Sequence, residues 1–558
     1  MNAPPNMRTL SPPVRQSLFL ITTISIIGLL IVRQIGLTGW NRRDLHQYNT
    51  FSFLYHAHEP VFFWLFIALS VSGYFFLWRG PKTTLLWPRY NLRLPTGKKA
   101  ISGVAFLVCL TTGVGTYCVF HGYSVCVDEF MSDYQAEIFA SGNIYARIDP
   151  AWRDLAIPLT PTFAVFNAER NTWISTYLPV YSAIRAIFLI LGIRSLTNAA
   201  LAGLSILALA GITKKLWPQE ESFPLIACLL LATSAQFLLM SMTAFAMPAH
   251  LCMNLVWLWF YTRNDRWSCL ATPWIGALAM GLHNPVVHGL FVLPFLIRIV
   301  RAKQWPRTLY FGCVYTLGCS AWLTWMLYVS NGVLSAGGEP TLSSVFVLPG
   351  LAQVLIQIMN LSLMVSWQSY ALVFLVLVAF TTRREKTPFE QDLIWSCLIT
   401  FLFYTFFRTS QTNGWGYRYA YSILGNMALL SVLGWQELKL QVGANRSSII
   451  LGVSLAIALL VQLPVRCLQA ERFVRPHYES FQYIVSLSTS FVLVDAKTIW
   501  PAADLMRNDP FLRTTPKLLF SSRATPQHLE ILKKLGSVQE VNGETLVQFG
   551  LPVVHPKE

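Results

Sequence analysis

The chain has 558 residues, 54% of them hydrophobic and 12% charged, with a mean hydropathy of +0.48. A soluble domain carries about 25% charged residues, so soluble multi-domain enzymes and disordered chains are both excluded. Repeated bilayer crossings fit instead. The 42 basic and 26 acidic residues leave a net charge of +16, but the excess sits in short runs between apolar segments, which sets nucleic acid aside as a partner.

The opening MNAPPNMRTLSPPVRQ is too polar and too long to begin a cleaved signal peptide, so the first apolar segment is expected to remain as an anchor. Hydropathy then places spans near 17–35, 60–78, 100–119, 196–213, 222–240, 247–262, 269–283, 286–300, 308–329, 363–381, 391–407, 419–436 and 448–464, or about thirteen crossings. Basic runs fall between them at Arg79, Lys82, Arg89, Arg93, Lys98 and Lys99; at Lys214 and Lys215; at Arg263 and Arg266; at Arg298, Arg301, Lys303 and Arg307; and at Arg383, Arg384 and Lys386. With Arg8 and Arg15 inside, all of these runs lie inside, which predicts a cytoplasmic N-terminus. Segment 173–193 would break that rule if it crossed, and its Pro179 and Arg185 suit a helix lying in the interface.

Two stretches outside the membrane are long: a loop at 120–195 and a polar tail at 465–558. In the tail, FVLVD (491–495) and PKLLFSS (516–522) read as buried strands, and TPQHLEILKKLG (525–536) as a capped helix. SVQEV and ETLVQF read as further strands around the Asn542-Gly543 turn. The expected fold is an all-α polytopic membrane protein with a small C-terminal α/β domain outside the membrane. Its expected regions are 1–99, two extra spans and a basic cytoplasmic loop; 100–464, the main membrane domain with loop 120–195; and 465–558, the α/β domain. The cysteines lie mostly in apolar segments and form no CxxC pair, so they read as small apolar fillers.

Three clusters carry candidate chemistry. Asp128 and Glu129 follow a span end, and a helix starting there puts Glu129, Asp133 and Glu137 on one stripe whose repulsion something must offset; a solvated acidic face at a helix N-terminus is the plain alternative. TSQTNGWGYRYAYS (409–422) sets Arg418 among Trp415, Tyr417 and Tyr419, fit either for a phosphate or for an interfacial aromatic belt. GLHNPVVHGL (281–290) carries His283 and His288, with His250 in AMPAH (246–250) near an earlier turn. Two histidines are a weak metal signal, and hydrogen-bonded histidines at a helix break are the alternative.

In this order the pieces resemble the GT-C membrane glycosyltransferases, in particular the protein O-mannosyltransferase and aminoarabinose-transferase branch. The acidic pair followed by YQAEIFASGNIY resembles the family's opening loop; TYLPVYSAI (176–184), AMPAH, LHNP (282–285) and GWGYRYAY (414–421) follow as looser counterparts of its later motifs. The likeness runs roughly from 100 to 436. It implies transfer of a sugar from a polyprenyl-phosphate donor to a hydroxyl of a glycan, lipid or protein, outside a bacterial plasma (inner) membrane, in one inverting displacement. Asp128 matches the catalytic acid, with Glu129 tuning it. Arg418, Tyr417, Tyr419, His283 and His288 are the donor-phosphate candidates, and Asp133, Glu137, Tyr177 and Trp415 the acceptor or sugar candidates. No cofactor is implied outright; members differ in their use of a divalent metal, so the metal stays open. Two other readings stand beside this one: a transporter or flippase for lipid-linked or anionic solutes, and an inactive envelope scaffold of the same fold. The near absence of charge inside the spans weighs against the first.

Overall fold

The computed structural model describes residues 11–38, 54–55, 58–78, 97–330, 346–407, 411, 414–496 and 500–551. Most of the expected basic loop at 79–99 and part of the cluster at 409–413 lie outside these residues.

Helices overlie each expected span. Among the described residues five are long and apolar enough to cross a bilayer, and seven if each of two bent pairs counts as one crossing. Two of the expected spans are bent. Phe223–Ala232 and Ala235–Ser241 meet at 65°, and the span expected at 363–381 is two helices, ending at Ser366 and restarting at Tyr370, which meet at 114°. Ser234 and Ser369 each restart a helix by accepting a backbone N–H on the side chain, so the breaks are capped. In segment 173–193 the helix Pro179–Ile190 has 12 residues, about 18 Å at 1.5 Å per residue, shorter than the ~30 Å of a hydrocarbon core.

The connection at 120–195 folds into the helix Val127–Ala140, a three-stranded antiparallel sheet with order β1(Ala146–Arg147)–β3(Thr172–Ser175)–β2(Ala164–Asn167), and the helix Pro179–Ile190. The tail begins as a helix: Ala444–Ile457 runs through a π turn at Ala458–Gln462 into Leu463–Ser486. Beyond it, β4(Phe491–Val494) pairs in parallel with both β5(Lys517–Phe520) and β6(Val538–Val541). The expected last strand, ETLVQF, is instead the helix Gly543–Gln548: the Asn542 side chain accepts the Thr545 N–H at 3.1 Å, and Glu544 sits in the first turn where the helix dipole favours it.

One apolar core joins the two extramembrane pieces. Val127, Met131, Tyr134 and Trp173 of the first connection pack with Phe491, Leu493, Leu519 and Leu532 of the tail. The Trp173 indole donates to the Pro510 carbonyl at 2.5 Å and the Asn508 amide to that of Leu159 at 2.9 Å. The tail therefore closes over the helix that begins with the acidic pair.

Candidate active site

The helix Val127–Ala140 gives its four acids different surroundings. Asp128 is part-exposed, accepts the Tyr177 hydroxyl, and lies 3.2 Å from the Arg418 guanidinium. Glu129 points the other way, is 1% exposed, and accepts the backbone N–H groups of Val125 at 3.3 Å and Ala244 at 2.9 Å. Asp133 takes Arg185 at 2.5 Å and Arg194 at 3.5 Å, and Glu137 takes Arg194 at 2.9 Å. Two arginines and two amides thus offset the repulsion of the stripe.

Burial works against ionisation at Asp128, but the Arg418 charge, the Tyr177 hydrogen bond and the nearby His283 together hold its carboxyl below the usual range. Burial pushes Glu129 up to about 7, since the Ala244 amide and the more distant Arg507 offset only part of it. The same cause raises Asp504, in the tail, to about 7. At neutral pH Asp128 is therefore the firmly charged carboxylate of the three.

Asp128 faces a cavity of about 280 Å³ with Tyr177, His250, His283, Arg418 and Tyr419 in its wall. Its apolar side is aromatic, with Tyr404 stacked on Tyr419 at 4.6 Å. Arg418 rides on a turn that glycine makes possible: Gly414 and Gly416 have φ of 133° and 73°, and a Cβ at Gly414 would meet the Arg418 side chain at 2.8 Å. Both ring nitrogens of His250 and the Arg418 Nε are buried without a hydrogen-bond partner. Buried polar atoms without a partner are uncommon, and both side chains belong to the cavity wall.

A second cavity, of about 510 Å³, opens on the other side of Asp128. Thr162, Asp504, Ser522 and Arg523 line it, and Asp128 and Phe163 border both spaces. Asp128 stands at their junction.

The remaining candidates lie elsewhere. Tyr417 is 1% exposed and its hydroxyl meets Gln357 at 3.2 Å; Trp415, equally buried, packs edge-on against Phe120. His288 is satisfied by Asn254 at 2.8 Å and Tyr315 at 2.9 Å. Asp133, Glu137 and Glu129 border neither cavity at Asp128. Sequence reasoning gave no role to His250, noted within AMPAH, or to Arg523, and it marked the segment 494–511, as acceptor-binding or as a cap, without singling out Asp504; the tail that carries both folds back over the site. Asp128 is the one carboxylate in the wall of the first cavity and already faces the Arg418 guanidinium, and among the described residues no group of three His, Cys, Asp or Glu side chains is placed to hold a metal ion.

No protein-family model and no curated protein matches the chain. Among solved structures it is similar to ArnT from Cupriavidus metallidurans bound to undecaprenyl phosphate, with 11% identity and a TM-score of 0.50 over 74% of this chain and 85% of that one. The apo state of the same protein aligns over 74% and 86% with a TM-score of 0.47. The chain shares the fold of ArnT.

Proposed function

We propose that this chain is a membrane glycosyltransferase that moves a sugar from a polyprenyl-phosphate donor to an acceptor hydroxyl on the outer side of the membrane. The observation that carries the reading is the place of Asp128, ionised and at the junction of two cavities, with Arg418 at 3.2 Å. The first cavity suits the donor phosphate, with the Arg418 charge and His250 in its wall and aromatic rings to pack against the lipid or sugar. The second suits the acceptor. The Asp128 carboxylate takes the proton of the acceptor hydroxyl as that oxygen attacks the anomeric carbon; the bond from that carbon to the phosphate oxygen breaks, its electron pair stays on the phosphate, and the sugar inverts. Arg418 stabilises the charge that develops on the leaving phosphate, and Tyr177 orients the carboxylate.

Placement outside the cell follows from charge. Arg263, and Arg298 with Arg301, end helices whose other ends, at Met247 and Pro285, border the first cavity. The positive-inside rule puts those basic ends in the cytoplasm and the site opposite.

Purified protein in lipid vesicles is given a panel of radiolabelled polyprenyl-phosphate sugars and membrane extract as acceptor. Wild type is expected to transfer label, and Asp128→Asn to lose at least about a hundredfold, the scale of a general base. Transfer that survives the substitution removes Asp128 from the role of base. Donors left intact by wild type overturn the transferase reading.

A further inference from the structure

The likeness to GT-C sequences begins near residue 100, which leaves the first two helices outside it. Yet the second, Glu59–Trp78, starts with a carboxylate that is 0% exposed and faces Arg466, also 0% exposed. The pair is bidentate, at 2.6 and 2.8 Å. The same carboxylate accepts the Ser366 hydroxyl at 2.5 Å and the Trp367 indole N–H at 2.8 Å. The guanidinium is held between the rings of Phe62, at 3.6 Å, and Trp367, at 4.1 Å. An apolar pair of the same volume would join two helices at no lower stability. What the fork adds is direction, and it directs the 114° break at Trp367–Ser369.

From that break a buried polar path runs to the site. Gln462, in the π turn, donates to the carbonyls of Ser366 and Gln368 at 2.7 and 3.0 Å. Gln368 accepts from Ser234 at 2.6 Å and donates to Gln236 at 2.7 Å, and Gln236 donates to the Tyr417 carbonyl at 2.7 Å. The next residue is Arg418. Gln236 also fills the space over Gly416, where a Cβ would meet it at 2.8 Å. Every side chain on the path, from Glu59 to Gln236, is at most 2% exposed, so the bonds are made in a medium where losing a partner is costly.

We infer that Glu59 and Arg466 are positioning residues for the Arg418 turn, and that the helix Glu59–Trp78 is a working part of the site. The test uses full-length protein in lipid nanodiscs and three variants: the apolar replacement Glu59→Met/Arg466→Met, the mid-path substitution Gln368→Met, and their combination. The double replacement removes both charges together and so avoids stranding one. Hydrogen exchange in 414–423 is expected to rise at least about tenfold in all three, the scale of one lost coupling, with the spans of 247–301 unchanged. Undecaprenyl phosphate, used as the probe, is expected to bind about tenfold more weakly in each, with the combined variant no worse than either alone because both cuts lie on one path. Unchanged exchange in 414–423, or a rise confined to 59–78 and 463–486, overturns the inference, as do effects on binding that simply multiply. The expectation for the phosphate rests on the reading of the first cavity as a donor site. If wild type binds no undecaprenyl phosphate that reading fails, while the exchange pattern still decides the inference.

Discussion

Burial acts on Asp128 and Glu129 in the same direction, yet the two carboxyls shift in opposite directions, because Asp128 gains a cation in direct contact while Glu129 has two amides and only more distant arginines. Glu129 has an ordinary value of 4.5 and is held at about 7 in the folded chain. Between those values the folded state keeps a proton that the unfolded state has released, so its share of stability is full at low pH and declines as pH rises to about 7. Asp504 acts with the same sign. Melting temperature should accordingly fall between pH 5 and 7, by at most a few kcal/mol in stability, and Glu129→Gln should flatten that fall. An equal slope in the variant, measured by scanning fluorimetry in detergent, would dismiss Glu129 as the source. The sequence shows the acidic pair and even its place after a span. It does not show that Ala244, more than a hundred positions away, offers Glu129 an amide. That is why the two acids read alike before the fold is known, and why Asp128 and Arg418, each flagged locally, could be named but not placed together.

At the scale of elements, legibility follows what periodicity measures. Hydropathy finds apolar length, so it located the spans. It is blind to direction, so the 114° turn at Trp367–Ser369 is hidden inside a continuous apolar stretch. Pro179 and Arg185 did mark the short helix, and the reason lies in what Arg185 does. It is 3% exposed, donates to Asp133 at 2.5 and 2.8 Å, and so pins Pro179–Ile190 along Val127–Ala140 just after Tyr177. Arg185→Met strands a part-buried carboxylate with Arg194 alone, and should cost about 2–4 kcal/mol. Adding Asp133→Leu removes the stranded charge and should return at least half of the loss in chemical denaturation. A double variant as unstable as the single would mean that shape, not charge, joins these helices.

For the molecule as a whole, the question is whether the tail is an independent cap. The alternating apolar pattern after 487 was enough to read strands and a helix there. It was not enough to show which surface they cover, because a buried strand looks the same whatever lies against it. In the fold, the core around Leu519 and Leu532 is completed by Val127, Met131, Tyr134 and Trp173 from the first connection. Asp504 accepts the Val127 N–H at 2.8 Å, and Arg507 lies 3.9 Å over the Tyr123 ring. The tail thus caps the helix that presents Asp128 and closes the second cavity at once. Residues 487–558 expressed alone keep the cluster of Val492, Val494, Leu505, Leu518, Phe520 and Leu546 but lose the side chains that the first connection adds under Leu519 and Leu532, and a piece this small has little apolar area to spare. The fragment should give collapsed amide dispersion in its nuclear magnetic resonance spectrum. Expressed beside residues 1–486, the same fragment should co-purify with them and regain protection from protease. A well-dispersed spectrum from the isolated fragment would make the tail a self-sufficient domain and leave the position of Asp128 to the first connection alone.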